Sequence, residues 1–254
     1  MTDQAPRIAV VGSINMDLVI RCQRLPVPGE TVMADSSHEI CGGKGANQAV
    51  AASRAGGLVS MIGRVGSDAF AERLIDNLKA EQICCNEIRL SDCESGVAVV
   101  AVEESGQNSI MVVPGANGMV SPKDVTASEP IIRDADVLLL QLEVPLETVA
   151  AAIALARRHG TRIVFDPAPA QQLPEELFGV DLLCPNQSEA SLLTGIEVET
   201  EQQVAAAAES LQRRGARHVA ITLGERGTWL FDGEQGTLIP TIKQGPCSRH
   251  DCRW

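Results

Sequence analysis

Gly42-Gly43-Lys44-Gly45-Ala46-Asn47-Gln48-Ala49 is the stretch from which the rest of this sequence is read. Three glycines at positions 42, 43 and 45 open backbone conformations closed to other residues and allow the chain to approach a ligand closely. The apolar run at 49–52, ending in Ala55-Gly56-Gly57, predicts a short Ala-rich helix with glycine at its C-terminal end, so the loop opens a helix. Amides at a helix N-terminus point at whatever precedes it, and with Lys44 and Asn47 beside them they suit a polyhydroxylated or anionic small molecule. The stretch is not a nucleotide P-loop, because Gly43-Lys44 is followed by Gly45 and the position of the first glycine holds His38. It is not a dinucleotide fingerprint either, since the third glycine would fall at Gln48. A tight turn with a solvent-facing lysine accounts for the same residues, and the loop alone does not decide between the two.

Outward from that stretch, 254 residues at 44% hydrophobic suffice for one large α/β domain with a buried core, the organisation expected over 1–254. A net charge of -12 and a pI near 4.8, with no Lys/Arg run, argue against nucleic acid and anionic membrane as partners. No segment has the uninterrupted apolar length of a membrane span, and residues 1–7 lack the basic-then-apolar order of a signal peptide, so a cytoplasmic location is expected. The eight cysteines are scattered with no CxxC pair and read as free thiols; Cys247, His250 and Cys252 form only a weak metal pattern. Two Trp and no Tyr leave no aromatic platform for stacking bases.

Residues 8–11 (Ile-Ala-Val-Val) read as a buried strand feeding a loop that carries Asn15 and Asp17. Such side chains at a strand's C-terminal end can accept hydrogen bonds from sugar hydroxyls, and they are equally ordinary turn residues. Two prolines and a glycine in 25–32 forbid a helix and suggest an edge strand or clasp. Residues 70–78 carry apolar side chains at helical spacing, whereas 96–102 and 108–113, separated by Glu103-Glu104-Ser105-Gly106, read as a hairpin. Beyond it, apolar runs at 137–140, 163–165 and 219–223 alternate with helical stretches at 146–158, 188–193 and 204–214, the βαβ pattern of a parallel sheet. Gln141, Glu143, Asp166, Asn186, Glu189 and the 222–227 segment then fall at strand ends, where such sheets place a ligand crevice. Asn186 and Glu189, three apart at a helix start, also fit a plain capping box, and Gly224 and Gly227 would let a nucleotide lie close over their loop.

At this point the residues match a known family. Gly12-Ser13-Ile14-Asn15-Met16-Asp17, Pro28-Gly29-Glu30-Thr31, the 42–49 stretch, Pro114-Gly115-Ala116-Asn117, Gln141-Leu142-Glu143, Pro167-Ala168-Pro169, Pro185-Asn186-Gln187-Ser188-Glu189 and Thr222-Leu223-Gly224 together resemble the ribokinase-like (PfkB) carbohydrate kinases, from residue 8 to about residue 240. The resemblance implies a three-layer α/β/α fold with a mostly parallel central sheet and a small β lid formed by about 17–41 and 95–113. It implies that Asn15, Met16, Asp17, Gly43, Lys44, Gly45, Ala46, Asn47 and Glu143 hold the sugar. It places ATP on Asn186, Thr222, Leu223, Gly224, Glu225, Arg226 and Gly227, with Glu189 helping to organise Mg²⁺ through phosphate and water. A monovalent cation (K⁺) and a homodimer formed through the lid belong to the same set of expectations.

The implied reaction moves the ATP γ-phosphoryl group to the 5-hydroxyl of D-ribose, with an aspartate as base and helix N-terminal amides neutralising the phosphate. Fructose or nucleoside kinases of the family, and a non-catalytic sugar-binding remnant, are the alternatives. The family's aspartate ends an Asp-Thr-x-Ala-Ala-Gly-Asp motif that this sequence does not contain; residues 243–254 run Lys-Gln-Gly-Pro-Cys-Ser-Arg-His-Asp-Cys-Arg-Trp instead. No catalytic residue is therefore assigned, the fold is expected to be incomplete at its C-terminus and without the cation loop, the tail reads as out of frame, and impaired activity is expected.

Overall fold

The computed structural model describes residues 5–242, which divide into two compact units, Met1–Pro169 and Ala170–Trp254. The first unit runs β1 (Arg7–Val11), β2 (Asn15–Cys22), β3 (Ala34–Gly42), α1 (Lys44–Arg54), β4 (Leu58–Val65), α2 (Ala69–Ala80), β5 (Cys84–Leu90), β6 (Gly96–Glu103), β7 (Asn108–Val113), α3 (Pro122–Ala127), α4 (Glu129–Arg133), β8 (Val137–Leu140), α5 (Leu146–His159) and β9 (Arg162–Phe165). Its larger sheet is all parallel in the order β9-β8-β1-β4-β5. β1 is a near-continuous apolar run because both its faces are covered: Ala9, Val10 and Val11 are fully buried. Helices α1 and α2 pack on β4, β1 and β5, while α3, α4 and α5 pack on one another and on β9, which gives the α/β/α layering. Met16, Met61, Leu74 and Leu78 lock the first of these interfaces. Each such side chain contributes roughly 1.5–3 kcal/mol through its burial.

The smaller sheet has the order β3-β2-β6-β7, with β2 parallel to β6 and the other pairs antiparallel. Its strands occupy the two segments in which a lid was expected. Two local readings change. Asn15, Met16 and Asp17 are not in a loop; they open β2, because Gly42 and Ile40 of β3 and Gly96 and Ala98 of β6 offer ladder partners on both sides. Residues 25–32 are not an edge strand: the prolines and Gly29 make a turn closed by the Glu30 N–H donating to the Val27 carbonyl (3.0 Å), tied by an Arg24–Glu30 ion pair. β4 and β5 escape a pattern search because Ser60, Gly63 and Arg64 interrupt the first, and charged residues punctuate the second, which lies at the sheet's edge.

The second unit contains β10 (Leu182–Leu183), α6 (Gln187–Thr194), α7 (Glu201–Arg213), β11 (His218–Thr222), β12 (Thr228–Phe231) and β13 (Gly236–Ile239). β10 and β11 are parallel, and β11, β12 and β13 form an antiparallel meander. α7 is capped by a Thr200/Gln203 box and buries Val204, Ala207, Ala208 and Leu211. The tail at 243–254, with Cys247, His250 and Cys252, lies outside the described residues. The six cysteines within them are not disulfide-bonded.

Candidate active site

The chain passes from the larger sheet into the smaller one through Gly12, Ser13 and Ile14, and the side chains beside this crossing form one polar network. Ser13 is fully buried and donates through Oγ to Glu143 Oε2 (2.6 Å). The same carboxylate oxygen accepts from the Lys44 backbone N–H (3.1 Å) and from Asn15 Nδ2 (3.5 Å). Ser13 Oγ in turn accepts from the Gly45 N–H (3.2 Å), and the Ser13 carbonyl accepts from Ala46 N–H (2.9 Å). The N-terminal amides of α1 are therefore satisfied by Glu143 and Ser13, not left open to a ligand as the glycine-rich loop had suggested. Asn15 Oδ1 accepts from Asn117 Nδ2 (2.6 Å). Beside this network lies a cleft of about 390 Å³ whose lining includes Asn15, Asn117 and Glu143 together with Val112, Pro114 and Pro145.

Asp17 stands two residues along β2, on the same face as Asn15. Its Oδ1 is buried without a partner among the described residues. Burial, and then the neighbouring Glu143 carboxylate, push its pKa from 3.8 up to about 6. A half-buried carboxylate short of donors is suited to accept them from hydroxyl groups. Lys44 is half-buried and Asn47 exposed, both on the first turn of α1.

The other expected sugar residues have structural work. Gly43 sits at φ +92°, and a Cβ there would lie 2.7 Å from the Asn15 nitrogen; one on Gly45 would lie 2.6 Å from the Ser13 nitrogen. Both glycines admit the β1–β2 crossing, a packing role beside the close approach to a ligand that the sequence suggests. The side chains of Met16 and Ala46 are buried in the apolar cluster under α1 and α2, so any contact these residues make with a sugar would come from their backbone. Ser13 and Asn117 were not singled out by sequence reading as site residues. Their signal was membership of the quoted motifs, without any spacing that would link them to Asn15 or Glu143.

In the second unit Asn186 forms an isolated parallel bridge with Thr222, bringing the start of α6 to the end of β11. Asn186 Oδ1 accepts from the Glu189 N–H (2.9 Å) and Glu189 Oε2 from the Asn186 N–H (2.7 Å), so the capping box is made and Glu189 is buried by it. Thr222, Glu225 and Arg226 are exposed, whereas Leu223 is buried; Arg226 donates to the Glu199 carbonyl. Gly224 has φ +58° and open space where a Cβ would stand. At Gly227 a Cβ would meet the Ile239 carbonyl oxygen at 2.1 Å, so this glycine is required by the contact with β13. Among the described residues no group of three or more His, Cys, Asp or Glu side chains is placed to hold a metal ion.

Residues 5–246 match the pfkB family of carbohydrate kinases. The chain is 41% identical over 237 residues to the bifunctional ribokinase/ribose-5-phosphate isomerase A of Fructilactobacillus sanfranciscensis, covering 92% of this chain but only 44% of that protein. It is 37% identical to a deoxyribokinase of Salmonella typhi, over 93% of this chain and 78% of the relative. Arabidopsis thaliana ribokinase, solved with ribose and ATP, superposes with a TM-score of 0.84 at 32% identity, over 94% of this chain and 79% of that one. This chain belongs to the pfkB family of carbohydrate kinases, and its fold is the ribokinase-like α/β fold.

Proposed function

We propose that the protein transfers the γ-phosphoryl group of ATP to the 5-hydroxyl of D-ribose, giving ribose 5-phosphate. The observation that carries this reading is the cluster at the β1–β2 crossing: Asn15 and Glu143 bring amide and carboxylate groups to one largely apolar cleft, with the partner-poor Asp17 near Glu143, as a small polyol requires. Sugar is assigned to the first unit, on Asn15, Asp17, Glu143, Lys44 and Asn47, with backbone contributions from 16, 43, 45 and 46. ATP is assigned to the second, on Asn186 and the 222–227 turn, with Gly224 as its open position. Both units are read as one kinase domain. A base must take the 5-hydroxyl proton as the phosphoryl group arrives, and no described residue is assigned that part.

Mg²⁺ would enter with the nucleotide's phosphates. The described residues do not supply a cage for it, since the Glu189 oxygen nearest the cap is already bonded to Asn186 N–H. Any influence of Glu189 would be indirect, and K⁺ remains part of the proposal only by family likeness. A cytoplasmic location goes with the use of ATP. The smaller sheet is read as a lid over the sugar and as the dimer contact. Ile110, Met111, Val112 and Val113 of β7, exposed by 46–68%, favour a second copy as its cover. Light scattering that gives a dimer, converted to monomer by Met111→Lys, is the expected outcome; a monomeric wild type removes the dimer.

The test of the activity is ADP release from Mg²⁺-ATP with D-ribose, 2-deoxy-D-ribose, D-fructose and a nucleoside, beside calorimetric titration of each sugar. Ribose-dependent ADP release is expected, at an impaired rate because no described residue is assigned as the base. Preference for 2-deoxyribose would favour the second reading, which the Salmonella relative motivates. Ribose binding without turnover would leave a sugar-binding protein, and no response to any of the four would overturn the assignment.

A further inference from the structure

We infer that Asn117 is a positioning residue for the sugar site, acting through Asn15; the inference rests on the sugar assignment above. Asn117 belongs to a short 3-10 turn, Gly115–Met119, that follows the smaller sheet, and it is 1% exposed. Its side chain spends every polar group on the β1–β2 crossing. Oδ1 accepts from the Ile14 N–H (2.8 Å), and Nδ2 donates to the Ile14 carbonyl (3.3 Å) and to Asn15 Oδ1 (2.6 Å). The last bond fixes which way the Asn15 amide faces. With its oxygen held by Asn117, Asn15 can only present Nδ2 toward Glu143 and the cleft, as a donor.

The surroundings leave this pin little freedom. A Cβ on Gly96, the first residue of β6, would lie 2.1 Å from Asn117 Nδ2 and 2.3 Å from Asn15 Oδ1, so β6 enters its sheet directly against the pair. The turn itself is anchored where the Ala116 N–H donates to the Glu94 carbonyl (2.9 Å) just before β6. Three chain segments that pass between the two sheets, at 12–15, 94–96 and 114–117, thus meet at one buried amide. A change at Asn117 is transmitted to the donor that the sugar meets, because Asn117, although it borders the cleft, is 1% exposed and spends its polar atoms on Ile14 and Asn15.

A double-mutant cycle tests this. Asn117→Ala should weaken ribose binding about tenfold, the worth of one well-made hydrogen bond. In an Asn15→Ala background the same change should have almost no further effect, because its route to the sugar is gone. Equal losses in the two backgrounds would overturn the inference, since a general structural defect acts whether or not Asn15 is present. Asn117→Ser keeps a single hydroxyl and should recover part of the affinity if that hydroxyl reaches Asn15. A wild-type chain that binds no sugar would instead sink the sugar assignment. The inference is then judged on the free protein by NMR: slow exchange of the Asn117 side-chain amide protons, lost on Asn15→Ala, supports it, and fast exchange in the wild type overturns it.

Discussion

The N-termini of α1 and α6 face the same problem, several amides with no partner inside the helix, and solve it with side-chain oxygens drawn from different distances. At α6 the solution is local: Asn186 and Glu189, three residues apart, cap each other. At α1 it is distant: Ser13 accepts from the Gly45 N–H, 32 residues away, and Glu143 from the Lys44 N–H, 99 residues away. A local cap stabilises one helix and can be exchanged for another cap at small cost. A distant cap ties the helix to the end of β8 and to the β1–β2 crossing, so the carboxylate that would meet the sugar is also part of the scaffold. Function and stability should therefore separate at α6 and move together at α1.

Glu143→Ala should give the largest effect. It strands the Ser13 hydroxyl and the Lys44 N–H, and each unsatisfied buried group costs about 1–3 kcal/mol, so a loss of about 3 kcal/mol is expected together with ribose binding. Glu143→Gln retains an acceptor and should recover at least half of the stability, with weaker sugar affinity. Urea denaturation of the three proteins reads this directly. A Glu143→Ala protein as stable as the wild type would break the comparison, since it would mean that the α1 amides do not depend on the distant carboxylate.

Asp17 sharpens the same contrast, because it is the carboxylate beside α1 that no donor satisfies. Its pKa is raised from 3.8 to about 6 in the folded chain, so the folded state holds the proton more tightly than the unfolded one. Below the unfolded value the residue is neutral in both states and costs nothing. As pH rises through about 6 the folded chain must carry a buried charge, and stability on the order of 2 kcal/mol is lost. Asp17→Asn should accordingly stabilise the free protein above about pH 6, with the advantage fading as pH falls toward the unfolded value, while ribose affinity drops. An advantage that is constant across that window would remove Asp17 titration as its cause.

Legibility in the sequence follows the same division between near and far. The 42–49 stretch announces a helix start, and α1 begins at Lys44 and ends before Gly56 as its punctuation predicts. Periodicity likewise locates α2, α5, α7 and the β6–β7 hairpin, because those signals lie within a few residues. The purpose of the glycines was not legible: what Gly43, Gly45 and Gly227 make room for is backbone at Asn15, Ser13 and Ile239, contacts that exist only after folding. For the same reason nothing in the spacing of Ser13, Asn117 and Glu143 shows that they share one network, since 130 residues separate the first from the last. β4 was hidden by Gly63, whose missing side chain lets the strand pass within 2.9 Å, measured from an ideal Cβ, of the Gly12 carbonyl oxygen.

The smallest effect belongs to Asn186, where cap and ligand can be told apart. As a cap it should cost about 1 kcal/mol when replaced by Ala and almost nothing when replaced by Ser or Asp, which accept the same bond from the Glu189 N–H. As a nucleotide residue it would present its side-chain NH₂, which the capping bond to Oδ1 leaves available and which neither Ser nor Asp can supply. Asn186→Asp is thus expected to melt with the wild type but to bind ATP several-fold more weakly, because the carboxylate lacks the donor and its negative charge opposes the phosphates. Calorimetric titration of ATP beside a thermal melt separates the two properties. Unchanged ATP affinity would leave Asn186 as a cap alone and remove it from the nucleotide site, whereas a large fall in melting temperature would show that α6, like α1, is tied to something more distant than its own first turn.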